Sequence, residues 1–289
     1  MTAIPGLHHV TAISGAAQAN VDFYTGVLKR RLVKKTVNFD APDTYHLYYG
    51  DAAGSPGTIL TFFPFADAGP GRAGPGMASA YAYAVPEAVL PAGEESERFG
   101  ARVVTLRDPD GAPVELIAAD VADAHGFHSV TLMERDPDPT AKLLTGVFGY
   151  EPSGTERGPG WERLRFKAPG AERANLIDIL RCDDAPRGIP GAGTIHHIAF
   201  RARSDDEQKG WQDRLASWGR PTTPVIDRQY FNAIYFREPG GVLFEIATDP
   251  PGFAVDEAPE ALGQRLMLPP KYEGIRDRIE AVLPPLVVA

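Results

Sequence analysis

Gly193-Thr194-Ile195-His196-His197-Ile198-Ala199-Phe200 reads as a short strand with two adjacent imidazoles on opposite faces, because strand side chains alternate with period two. Gly6-Leu7-His8-His9-Val10-Thr11-Ala12-Ile13 repeats the pattern near the start of the chain. A third apolar run, Gly240-Gly241-Val242-Leu243-Phe244-Glu245-Ile246, carries one carboxylate, 48 residues after His197. Two imidazoles and a carboxylate on three separate strands can form a facial triad for a divalent metal.

Outward from the first His-His strand, residues 14–28 place Val21, Tyr24 and Leu28 on one helical face, with Ser14 positioned to cap it. Strand-like runs follow at 31–39, 45–49 and 58–63, separated by turns at Pro42-Asp43 and Gly54-Ser55-Pro56-Gly57. Strand, helix and three strands make a βαβββ module. A Gly/Pro-rich linker at 69–76 leads to a second module with strands at 79–85, 102–106 and 114–118. The third opens at Gly126-Phe127-His128-Ser129, with a helix over 138–148 and strands near 161–167 and 175–180. The fourth runs from Thr194 through a helix near 205–218 to strands at 230–237 and 242–248. A Pro-rich tail with a short helical pattern at 272–283 ends the chain.

The modules are related. Arg107-Asp108-Pro109-Asp110-Gly111 leads to Glu115 as Arg237-Glu238-Pro239-Gly240-Gly241 leads to Glu245, both fitting Arg-acidic-Pro-x-Gly-x-x-x-Glu. The expected architecture is α+β: four βαβββ modules in two homologous halves, 1–120 and 121–250, followed by a tail at 251–289. Aligning the repeats sets Ala80 opposite His197, and Ala80 reaches Glu115 in 35 residues against 48 in module four. The deficit of 13 residues is about one helix, so the helix of module two should shrink to a stub at Glu87-Ala88-Val89-Leu90. An uncovered apolar sheet face would follow, suited to contact between copies of the chain as a homo-oligomer.

The repeat also acts as an internal control on the histidines. Of seven, four lie in the two pairs, while His46, His125 and His128 lie elsewhere. Module three offers His128 and Ser129 in place of His8 and His9, and module two offers Ser79 and Ala80 in place of His196 and His197. Glu115, without two imidazoles, reads as a structural or rim carboxylate. One complete site remains, His9, His197 and Glu245, and it must bring modules one and four together. With His9 and His197 pointing into the lumen, His8 and His196 point away, orienting their neighbours or reaching the site at a strand end. Fe(II), Mn(II) and Zn(II) all suit these ligands.

A net charge of −9 and a pI near 5.3 argue against nucleic acid or an anionic membrane as partner. A single cysteine, Cys182, excludes an internal disulfide and a cysteine-based zinc site. With no signal-like opening and no apolar run of about 18 residues, the expected location is the cytoplasm.

At these residues the sequence resembles the vicinal-oxygen-chelate superfamily, in particular its hydroquinone-type ring-cleaving dioxygenases. The resemblance rests on residues 6–11, 33–40, 45–49, 54–58, 195–197 and 239–245 taken together. It implies paired modules forming open, cup-shaped barrels. It also implies an Fe(II) cofactor, with Mn(II) as the alternative, held by His9, His197 and Glu245. The implied reaction is cleavage of a small aromatic substrate by O2 to a ring-opened acid. His8, Thr11, His196, Arg228 and Tyr235 match positions near the substrate. His8 or His196 would move protons, Arg228 would hold an anionic substrate or intermediate, Tyr235 would bond an oxygen, and Thr11 would contact the substrate. Read alone, Arg228 is a loop charge and Tyr235 a sheet-packing aromatic. The rival on the same fold is a glyoxalase-like isomerase or lyase, which carries a second carboxylate at the end of module one, where residues 58–63 offer none. A metal-free binding protein of the bleomycin-sequestering kind is disfavoured by retention of the triad.

Overall fold

The computed structural model describes residues 3–122 and 126–288, so His125 lies outside the described residues. Module one comprises β1 (Leu7–Ser14), α1 (Ala17–Val21) running into a π-helical turn at Asp22–Val27, β2 (Arg31–Asn38), β3 (Ala41–Gly50) and β4 (Ile59–Pro64). Module two comprises β5 (Met77–Val85), a 3-10 turn at Glu87–Val89, β6 (Glu94–Arg98), β7 (Ala101–Arg107) and β8 (Pro113–Ala118). Module three comprises β9 (Phe127–Met133), α2 (Asp138–Gly146), β10 (Glu151–Gly158), β11 (Trp161–Lys167) and β12 (Leu176–Cys182). Module four comprises β13 (Thr194–Ala202), α3 (Asp205–Ser217), β14 (Ile226–Asp227), β15 (Phe231–Arg237) and β16 (Leu243–Pro251). The α+β fold of four βαβββ modules follows the repeat.

The strands form two eight-stranded sheets, ordered β14-β15-β16-β13-β1-β4-β3-β2 and β10-β11-β12-β9-β5-β8-β7-β6. Each sheet draws one module from each half of the sequence, one with four and two with three. The first strands of the paired modules meet antiparallel at the centre, setting Thr11 opposite His197 in one sheet and Ala80 opposite Thr131 in the other. Contact within a half is made through its first helix. The Tyr24 hydroxyl meets that of Tyr81 at 2.8 Å and donates to Asp108 at 3.1 Å, joining module one to module two. Correspondingly, Thr140 of α2 donates to Glu238 of module four, and Phe148 packs 4.7 Å from Phe200. The linkers cross where glycine is required: a Cβ on Gly71 would come 2.8 Å from the Gly191 nitrogen.

Four local expectations are corrected. Ser14 ends β1 with its hydroxyl buried and unbonded, and the cap position of α1 belongs to Ala16, whose side chain makes no capping bond. The first hairpin turns at Phe39-Asp40, where the Asn38 side chain accepts the Asp40 amide at 3.0 Å, and Pro42-Asp43 belong to β3. Beyond the expected strands, β6, β10 and β14 complete modules two, three and four. β6 and β10 are edge strands, largely exposed and rich in charge or glycine, so they lack apolar alternation. The helix of module two is indeed reduced to a single turn, yet no bare patch results. Tyr81, Tyr83 and Val85 are buried, with the Arg30 guanidinium 3.6 Å above the Tyr83 ring. Module one's helical segment takes the place of the missing helix, which removes the basis for expecting contact between copies there.

The tail runs through turns at Phe253–Val255 and Pro259–Ala261, then α4 (Pro270–Glu273) and α5 (Arg276–Val282). It straps the outer edge of module one. Met267 donates to the Lys35 carbonyl, Lys271 and the Tyr272 hydroxyl both donate to the Phe39 carbonyl, and Tyr45 donates to that of Pro284. Lys34 is fully buried and reaches Asp256 at 2.6 Å and Glu257 at 2.5 Å.

Candidate active site

The adjacent strands β1, β13 and β16 bring His9, His197 and Glu245 together, and their potential ligand atoms lie within 4.8 Å of one another. This is the one such cluster among the described residues. His9 Nε2 and His197 Nε2 are 3.3 Å apart, and Glu245 Oε2 lies 3.3 Å from the former and 2.8 Å from the latter. All three side chains are buried, and the two imidazoles hold the Glu245 carboxyl well below the usual carboxylate range against the opposing effect of burial.

The residue before each imidazole of the triad meets it ring to ring. His8 Nδ1 faces His9 Nδ1 at 3.0 Å, while the other side of the His8 ring bonds the Thr248 main chain. Burial, with the His9 ring adding to it, lowers the His8 pKa well below its ordinary value, so His8 is neutral. A neutral imidazole that donates to a carbonyl through one nitrogen accepts at the other. His9 therefore donates from Nδ1 and turns the lone pair of Nε2 toward the cluster. His196 Nδ1 faces His197 Nδ1 at 2.7 Å. Both Glu245 oxygens are buried, with His197 Nε2 2.8 Å from one of them. Two imidazoles and a carboxylate converging in a buried space make a donor set that fits a divalent transition metal.

The cluster opens onto a cavity of about 280 Å³, at the small end for ligand pockets. Thr11, His196, Arg228 and Tyr235 line it, together with the aromatic walls Phe39, Tyr48, Phe63, Phe65 and Phe231. His8 does not line it: that ring lies behind His9, 5.3 Å from Phe231. Tyr235, paired across the strands with Glu245, accepts from Arg228 Nε at 3.3 Å, and Arg228 Nη1 donates to Asp40 at 2.9 Å across the mouth. His196 reaches the cavity with its pKa lowered to about 4 by the protein packed around it and by His197. His46 borders the cavity with no signal in the sequence to mark it, and Tyr48 stands beside it. A lone histidine in a strand carries no pattern, although β3 alternation sets both on one face.

The other sheet has the same positions filled differently. Register places Glu245, Glu115, Asp178 and Thr61 opposite Ala199, Ala82, Thr131 and Thr11, so the four are equivalent. Arg98 clamps Glu115 through two bonds of 2.6 Å, and Arg165 clamps Asp178 at 2.7 and 2.8 Å. Arginines neutralise that cup. In module one, Thr61 occupies the equivalent position, so the triad has no second carboxylate.

The fold and this site define a class of metal-centred βαβββ proteins. The chain belongs to the Glyoxalase/Bleomycin resistance protein/Dioxygenase superfamily, whose model matches residues 126–246. It is 46% identical over 308 residues to "Putative ring-cleaving dioxygenase MhqO" of Bacillus subtilis (strain 168), covering 98% of this chain and 97% of that one. It is 34% identical over 311 residues to "Chlorohydroquinone/hydroquinone 1,2-dioxygenase" of Sphingobium indicum, covering 96% and 95%. A crystal structure titled a "putative dioxygenase" from Bacillus subtilis is 44% identical, with a TM-score of 0.91, over 100% of this chain and 99% of that one.

Proposed function

We propose that the protein is an Fe(II)-dependent dioxygenase that opens the ring of a hydroquinone-type aromatic and incorporates both atoms of O2 into the resulting acid. The observation that carries this reading is the buried carboxylate of Glu245 beside the His9 and His197 imidazoles, at the floor of a small aromatic-walled cavity. The names of relatives aligned over nearly the whole chain support it. A divalent metal held by His9, His197 and Glu245 would stabilise a phenolate and pass electron density from the substrate to O2. The absence of a carboxylate at Thr61 leaves coordination positions for both reactants and disfavours a glyoxalase-like site.

The chain's own residues do the rest. Phe39, Phe63, Phe65 and Phe231 form a slot for one ring. His196, with its Nδ1 engaged by His197, turns its other nitrogen to the cavity and is the residue for proton movement. His8, shut behind His9, acts by holding that ligand. Arg228 offers charge to an anionic substrate or product, and Tyr235 a hydroxyl. The same reading puts the enzyme in the cytoplasm.

Oxygen uptake by anaerobically Fe(II)-loaded protein, offered hydroquinones and catechols in parallel, tests the proposal. Uptake with hydroquinones, abolished in His197→Ala and Glu245→Ala, is the expected result. Uptake with catechols alone would replace the substrate class, and none from iron-bearing protein would end the dioxygenase reading.

A further inference from the structure

One wall of the cavity is a continuous line of hydrogen bonds that the proposed chemistry leaves unused. Tyr48 Oη meets His46 Nδ1 at 2.8 Å, His46 Nε2 meets Thr61 Oγ1 at 2.8 Å, and Thr61 Oγ1 meets Thr11 Oγ1 at 2.9 Å. The His46 ring is clamped between Tyr48 and Phe63, at 4.0 and 4.3 Å. Thr11, Tyr48 and Thr61 are all buried, and of the line Thr11, His46 and Tyr48 border the cavity while Thr61 does not.

The line has a direction. A phenol is more acidic than an aliphatic alcohol and donates more readily than it accepts. Tyr48 therefore gives its hydrogen to His46 Nδ1. A neutral imidazole that accepts at one nitrogen must donate at the other, so His46 Nε2–H donates to Thr61. Thr61 then passes its own hydrogen to Thr11. Among the described residues none accepts the hydrogen of Thr11, which is left for the cavity.

We propose that His46, Thr61 and Tyr48 are positioning residues that lock the Thr11 hydroxyl as a hydrogen-bond donor, selecting a ligand that places an oxygen acceptor, a phenolate rather than a ring hydrogen or halogen, beside the triad. The line is built on Thr61, the position that holds a carboxylate in the other three modules. Replacing that carboxylate by a hydroxyl vacates a ligand position and at the same time makes a joint in the line. The choice of a phenolate as ligand rests on the dioxygenase reading, while the direction of the line does not.

The test therefore has two independent arms. In zinc-loaded, ¹⁵N-labelled protein the His46 ring is expected as the Nε2–H tautomer, and an Nδ1–H tautomer would overturn the direction. In anaerobic binding of hydroquinone, Thr61→Val, which keeps side-chain shape and does not touch the cavity, is expected to weaken affinity about tenfold at unchanged metal content. KM should rise accordingly, with kcat changed less. His46→Gln, able both to accept from Tyr48 and to donate to Thr61, should stay within about threefold of the unmodified protein, whereas His46→Leu should match Thr61→Val. Unchanged binding by Thr61→Val, or equal loss in the two His46 variants, would overturn the positioning role. Wild-type protein that binds no hydroquinone would remove the phenolate as ligand. Protein that binds but consumes no O2 would end the dioxygenase reading and leave the line intact.

Discussion

Each imidazole of the triad depends on the residue before it. His8 is buried, outside the cavity, and bonded to His9, so His8→Ala should leave the cavity intact while releasing the His9 ring. Metal affinity should fall about 10–100-fold, the usual effect of losing a residue that orients a ligand, and competition with a chromogenic chelator measures it. His196→Ala should weaken the metal similarly and also slow turnover, because that ring reaches the cavity. The triad and its flanking histidines are legible in the sequence because two His-His strands recur in related modules and the other two modules lack them. His46 is not legible, since its role arises from Thr61, which sits beside it only after β3 and β4 pair.

The elements divide along similar lines. The shortened helix of module two follows from a count of residues between matched landmarks. What covers the exposed face does not, because the cover comes from another module. The edge strands β6 and β10 are hidden from any period-based reading by their polar, exposed faces. The tail is equally opaque as sequence: Asp256 and Glu257 read as loop acids, yet they are the partners of a fully buried lysine. Lys34→Met should leave Glu257 buried without its cation, beside the Tyr48, Tyr230 and Phe253 cluster, whose ring centroids lie 5.1–6.1 Å apart. Breaking a buried ion pair in this way costs about 3–5 kcal/mol, or about 10 °C in melting temperature for a chain of this size. Thermal melts of the variant and of the double variant Lys34→Met/Glu257→Gln check it, the second expected to recover part of the loss.

At the scale of the molecule the two sheets are a working cup and a neutralised copy. Arg98→Ala should expose the consequence by leaving Glu115 buried and unpaired: melting temperature falls, while metal content and hydroquinone binding stay unchanged. The joint between the sheets titrates. Burial, with the Glu238 carboxylate adding to it, pushes Glu134 up to about 8. The folded protein keeps a proton there that the unfolded chain releases above about pH 5, so this group lowers stability as pH rises from about 5 through 8. Glu134→Gln should therefore melt like the unmodified protein at pH 5 and several degrees higher at pH 8.5. Equal shifts at both values would show that Glu134 does not titrate in this window. Finally, β1 finds its partner in β13, and the two imidazoles that face each other stand 188 positions apart along the chain. On the ribosome, at about 5–20 residues per second, the first ligand waits on the order of ten seconds or more for the second, and longer for Glu245. The nascent N-terminal half spends that interval with the edge of β1 unpaired, and the centre can be metallated only after synthesis has passed Glu245. Ribosome-arrested chains ending before residue 240 should retain no metal, so the ion enters only when the last part of the chain is being made or has been finished.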